Sequence, residues 1–247
     1  MADSGIPLIE RAEKHKGRVA ISTMGGDFTY SQLLETSSGV AAGLLAGQKD
    51  LKGQRVAFLT PRNFDYPTVQ WGIWRGGGIA VPLCEVHPAA ELTYTIQDSG
   101  ASIVVSHPDF TPTLAPIARK LNIRFLSTDR IPNGNHQTLP KVASERPAMI
   151  LYTSGTTGKP KGVLLTHHNL QAQITTLIRA WEWHGDDRIL HVLPLHHTHG
   201  IVNVLCCALW AGATCEMLPR FDAARVWQKF MDGNITLFMA VPTIYVK

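Results

Sequence analysis

The chain is poor in charge, poor in cysteine, and has no apolar run long enough to cross a bilayer. Charged residues make up 17% of its 247 positions against 45% hydrophobic ones, a balance that excludes disorder and predicts a large buried core. The longest uncharged apolar stretch, Gly200 to Cys215, contains Asn203 and falls short of the roughly 20 residues of a membrane span; it predicts a buried helix leading into a strand. The four cysteines, Cys84, Cys206, Cys207 and Cys215, show no CxxC spacing, which excludes a disulfide framework or structural zinc site and suits a reducing compartment. Lys and Arg exceed Asp and Glu by 23 to 19 without a basic stripe, so no nucleic acid partner is expected, and anionic small molecules fit better. There is no internal repeat. The first twenty residues mix Asp3, Glu10 and Glu13 with Arg11, Lys14, Lys16 and Arg18, unlike a secretory or transit presequence.

Short β-rich runs alternate with longer helical patterns. Strands are expected at Arg55 to Leu59, Ile79 to Leu83, Ser102 to Ser106, Arg124 to Ser127, Met149 to Thr153, Val163 to Thr166, Ile189 to Leu193, Thr214 to Leu218 and Thr236 to Val241. Helices are expected after the start signals Thr29, Pro88, Thr166 and Asp222, with Gly47, Gly100 and Gly233 as stops. The alternation predicts an α/β fold of layered, largely parallel sheets flanked by helices. The segment 129–146, with Pro132, Asn133, Gly134, Asn135 and Pro140, is apolar-poor and predicts a loop between subdomains of about 1–128 and 147–247.

The most informative stretch is Tyr152-Thr153-Ser154-Gly155-Thr156-Thr157-Gly158-Lys159-Pro160-Lys161-Gly162, lying between two expected strands. The position implies a tight hairpin loop. Its glycines let backbone N–H groups face an anion, Thr153, Ser154, Thr156 and Thr157 add hydroxyl donors, and Lys159 and Lys161 flank the stiff Pro160. The chemistry is that of a polyphosphate cradle. It is not the Walker A arrangement, because only two residues separate Gly155 from Gly158 and Pro160 follows Lys159. Arg75-Gly76-Gly77-Gly78 is read instead as a helix-ending turn.

On these residues the chain resembles the adenylate-forming superfamily of acyl-CoA synthetases, luciferases and peptide-synthetase adenylation domains. Further stretches fall in that family's order: Phe28-Thr29-Tyr30-Ser31-Gln32-Leu33, Gly76-Gly77-Gly78-Ile79-Ala80-Val81-Pro82-Leu83, and Leu193-Pro194-Leu195-His196-His197-Thr198-His199-Gly200. Trp210-Ala211-Gly212-Ala213-Thr214-Cys215 and Phe238-Met239-Ala240-Val241-Pro242-Thr243-Ile244-Tyr245 look most like its mitochondrial malonate-CoA ligases.

The resemblance implies an ATP-dependent acid-CoA ligase using ATP, Mg²⁺ and CoA, forming an acyl-adenylate and then a thioester, with malonate or methylmalonate as the acid. Two alternatives stay open: a ligase for medium-chain or other carboxylic acids, and a non-catalytic nucleotide-binding module. It implies that His197 borders the activated carboxyl group, and that His199, polar where many relatives are apolar, meets a second carboxylate. His196, His197 and His199 also invite a metal reading, but HHxH brings no carboxylate or thiolate at a familiar spacing, so no direct metal ligand is assigned. It further implies that this is an incomplete amino-terminal domain. The catalytic lysine and the carboxyl-terminal domain are expected beyond Lys247, and the chain alone is expected to be inactive. Mitochondrial location is carried by resemblance alone, with the cytoplasm also open; oligomeric state is not indicated.

Overall fold

The computed structural model describes residues 5–131, 138–154 and 158–246. Among them, eleven strands form two sheets. The first sheet holds β3 (Arg55–Leu59), β4 (Ile79–Pro82), β5 (Ile103–Ser106), β6 (Arg124–Ser127), β7 (Pro147–Thr153) and β8 (Lys161–Thr166), in the order β6-β5-β3-β4-β7-β8. All its pairings are parallel except the terminal β7–β8 hairpin. The second holds β1 (Val19–Thr23), β2 (Gly26–Thr29), β9 (Arg188–His191), β10 (Thr214–Met217) and β11 (Leu237–Phe238), in the order β11-β9-β10-β1-β2. It too is parallel except for its terminal hairpin, β1–β2.

The helices are α1 (Pro7–Ala12), α2 (Tyr30–Leu45), α3 (Asp65–Arg75), α4 (Ala89–Asp98), α5 (Thr111–Lys120), α6 (His167–Ala180), α7 (Cys207–Ala211), α8 (Ala223–Met231) and α9 (Pro242–Tyr245). Local chemistry starts several of them. Thr29 and Gln32 form a reciprocal capping box at α2, Thr166 and Asn169 another at α6, and the Asp222 carboxylate accepts from Arg225 N at α8.

Strand alternation sorts side chains into layers. Val56 and Phe58 face a core shared with α2, α3, α6, α7 and the other sheet, while Ala57 and Leu59 face a second core under α4 and α5. A third cluster, Leu190, Val192, Leu218 and Val226, lies beneath α8. The order is therefore helix, sheet, helix, sheet, helix. In the central layer a Cβ on Gly72 would lie 2.4 Å from Val40 Cγ1, so only glycine lets α3 approach α2 this closely.

The subdomain division expected around 129–146 does not follow the sheets. Residues 147–166 complete the first sheet, while residues 19–29 join the second, β1 pairing with β10 and β2 with β1. Such long-range pairing has no local signature, which is also why β1 and β2 were not anticipated. Residues 132–137 lie outside the described ones. The stretch after Gly200 is a buried helix before a strand, as expected, but His199–Cys206 is wound as a π-helix. The last expected strand contracts to Leu237–Phe238 at the sheet edge.

Two tethers lock β7 beside β4. Trp74, fully buried, donates its indole N–H to Ala148 O at 2.7 Å. Arg146 grips Asp50 at 2.7 and 2.9 Å and also donates to Gly77 O at 2.6 Å. The Arg146 hydrogen bond holds the Asp50 carboxyl below its ordinary value despite the opposing effect of burial. Because the folded value lies below the unfolded one, this stabilisation is complete above about pH 4 and is lost as pH falls through the folded value. Asp50→Asn in the full-length protein is expected to cost about 1–3 kcal/mol at pH 7 and to flatten the acid limb of stability against pH, read from urea midpoints.

Candidate functional site

The carboxyl ends of β4 and β7 open into a cleft of about 590 Å³, within the range of small-molecule sites and at the end of a parallel sheet where ligands gather. Pro82, Leu83 and Cys84 form its floor, and α4 with the preceding His87 forms one wall. The opposite wall is the hairpin, with Tyr152, Thr153 and Ser154 on the outgoing side and Gly158, Lys159 and Pro160 on the return. His196 and His197 close it from the loop after β9, so both sheets contribute.

The hairpin is antiparallel, with Tyr152 opposite Gly162 and Thr153 opposite Lys161. This is the strand-loop-strand geometry expected of an anion loop. Lys159 Nζ lies 5.6 Å from the centre of the Tyr94 ring, a cation–π distance. Lys161 opposes Thr153 at the hairpin base and is not among the cleft-lining residues. Gly155, Thr156 and Thr157 lie outside the described residues.

The histidine wall depends on a reversal. Past Pro194 the chain folds back until a Cβ on Gly200 would sit 2.3 Å from Pro194 O, so this position requires glycine. His191, completely buried, bonds through Nε2 to Gly200 O at 2.9 Å; a carbonyl only accepts, so Nε2 carries the proton. Burial pushes the His191 imidazole down to about 3, so it stays neutral. The His196 and His197 ring centres are 4.1 Å apart, and His87 lies 6.0 Å from His196. Burial first, then the neighbouring imidazoles and Arg62, lower His196 to about 4. His197 is lowered by burial and by His87.

The sequence pattern of the AMP-binding enzyme family matches residues 8–247. The chain belongs to the AMP-binding enzymes. Among its relatives, the human protein named malonate-CoA ligase ACSF3, mitochondrial, is 43% identical over 100% of this chain and 45% of its own length. The malonate-CoA ligase of Arabidopsis thaliana is 33% identical over 93% of this chain and 44% of its own length. The ATP-bound structure of MatB from Rhodopseudomonas palustris superposes with a TM-score of 0.85 at 31% identity, covering 98% of this chain and 50% of that one. The chain thus spans about half the length of the curated relatives it matches.

Measured against the reading of the sequence, this AMP-binding domain brings Thr153, Ser154, Gly158, Lys159, Pro160 and His197 to one cleft. His199, which opens the π-helix, is not among the residues lining that cleft. Sequence reasoning missed Cys84, His87 and Tyr94 as cleft residues. Only the nearness of Cys84 and His87 to the end of an expected strand hinted at them.

A second cavity of about 180 Å³ adjoins the cleft, sharing Leu83, Cys84 and His196 with it. There Arg62 reaches across to the other sheet and donates to Val192 O at 3.0 Å. In an NMR pH titration of the full-length protein, His196 is expected to stay neutral from pH 8 to 5 and to protonate with a midpoint of about 4. A folded value below the unfolded one of about 6.5 means that this histidine withdraws stability as pH drops from there toward about 4.

Proposed function

We propose that the chain is the amino-terminal part of an ATP-dependent acid-CoA ligase acting on malonate or methylmalonate. One observation carries the reading: the stem of the phosphate loop and the His196–His197 pair line a single cleft from two different sheets. Thr153 and Ser154 would donate to polyphosphate oxygens, and Lys159 would offset their charge. A carboxylate oxygen of the acid attacks the α-phosphorus of ATP, the bond to pyrophosphate breaks, and acyl-AMP forms. The sulfur of CoA then attacks the acyl carbon; the bond to AMP breaks and the thiol proton is released.

Neutral imidazoles suit the first step. An imidazolium beside the attacking carboxylate would tie up its charge in an ion pair, whereas a neutral ring can orient it by a single hydrogen bond. The names of the human and Arabidopsis relatives support malonate, and the human one supports a mitochondrial location.

Mg²⁺ accompanies ATP in such chemistry. Among the described residues there is no group of three or more His, Cys, Asp or Glu side chains that could hold a metal. No helix among them is long and apolar enough to cross a membrane.

The test is pyrophosphate release by the full-length protein with ATP, Mg²⁺ and CoA, in separate reactions with malonate, methylmalonate, acetate, octanoate and benzoate. Malonate or methylmalonate is expected to exceed the monocarboxylates by at least about 100-fold in kcat/KM, a floor below the roughly 10⁴-fold that a site built to hydrogen-bond a polar group achieves. A preference for octanoate or benzoate would keep the adenylating reaction and remove the dicarboxylate.

A further inference from the structure

Helix α4 holds both strands of the phosphate-loop hairpin. One of its faces is fixed, because Leu92 and Ile96 are buried in the core against the first sheet. On its outer face Tyr94 and Asp98 are one helical turn apart and therefore neighbours. Tyr94 Oη donates to Pro160 O at 3.0 Å, with Asp98 Oδ1 at 3.4 Å as a second acceptor. Tyr152 Oη donates to Asp98 Oδ2 at 2.7 Å. One pair of side chains thus grips the outgoing strand at Tyr152 and the return at Pro160, while the Tyr94 ring lies beside the Lys159 ammonium.

The hairpin needs such a hold. It lies at the edge of its sheet, β8 is exposed from Lys161 to Leu164, and Gly158 sits at φ +91 in a region only glycine enters readily. Strand pairing fixes its base but leaves the reach of Lys159 undetermined. A cation held in place before its anion arrives does not spend binding free energy on being ordered.

We propose that Tyr94 and Asp98 are positioning residues that fix the stem of the phosphate loop, with Tyr94 presenting Lys159 to the polyphosphate. The proposal rests on reading the cleft as a polyphosphate site, and it does not depend on which acid is used. Neither side chain need touch the reacting atoms. Tyr94 acts through Pro160 and Lys159, Asp98 through Tyr152.

The experiment is a double-mutant cycle in the full-length protein, with Tyr94→Phe, Tyr94→Leu and Lys159→Met. ATP affinity is read by calorimetry without any acid, and KM for ATP, KM for the acid and kcat are read from pyrophosphate release. Tyr94→Phe keeps the ring and loses the hydrogen bond, so ATP affinity is expected to fall about 3-fold; Tyr94→Leu loses both, and a fall of about 10-fold or more is expected. KM for the acid should stay within about 2-fold. In the Lys159→Met background, Tyr94→Leu should add less than about 3-fold, since the residue it positions is gone.

Wild-type ATP affinity in Tyr94→Leu overturns the proposal. So does a full additional loss in the Lys159→Met background, which marks α4 as a purely structural support. If Tyr94→Leu does not fold, the near-isosteric Tyr94→Phe carries the cycle: its loss of about 3-fold should shrink to less than about 1.5-fold in the Lys159→Met background, and an undiminished loss overturns the proposal. A wild-type protein that binds ATP but prefers a different acid removes the malonate reading and leaves this one standing; failure of the wild type to bind ATP removes both.

Discussion

The functional region depends on one parallel pairing, that of β4 with β7, in register at Ala80 and Met149. It joins segments nearly seventy residues apart and brings the strand end at Pro82–Cys84 beside Tyr152–Ser154. A single registered pair would be a weak junction by itself. It is backed by the buried Trp74 indole on Ala148 O, costly to leave unmade, and by the partly buried Arg146 spanning Asp50 and Gly77 O.

From that junction the layered architecture does the rest. Each sheet is parallel inside and closes with one antiparallel strand, and the two terminal hairpins have opposite fates. The β1–β2 hairpin is tied into the second sheet by β10, and its first strand is buried at Ala20 and Ile21. The β7–β8 hairpin carries an exposed outer strand at the sheet edge, and its stem lines the cleft. A parallel strand must end where its crossover begins, so loops from several strands collect at one rim. The histidine loop after β9 reaches the same rim from the other sheet, with Arg62 linking the two at Val192.

The electrostatics of the cleft follow from burial more than from formal charge. With 23 basic against 19 acidic residues the chain is only mildly cationic, yet Lys159 faces imidazoles that burial and mutual proximity keep neutral. Positive charge is thereby concentrated on the hairpin side of the cleft, and the histidine side is left polar but uncharged.

The sequence by itself determined what depends on near neighbours. The helix starts at Thr29, Thr166 and Asp222 and most strand cores were legible because caps and short β-rich runs are local properties. The β7–β8 hairpin was legible too, since two β-rich runs flank a short glycine-rich stretch. Tertiary structure alone decided which distant segments meet. It moved β1 and β2 into the later sheet, left His199 off the cleft lining, and set Tyr94 and Asp98 against the hairpin stem at Pro160 and Tyr152. Pairing free energy between remote strands depends on the whole packed arrangement and leaves no trace at either strand alone.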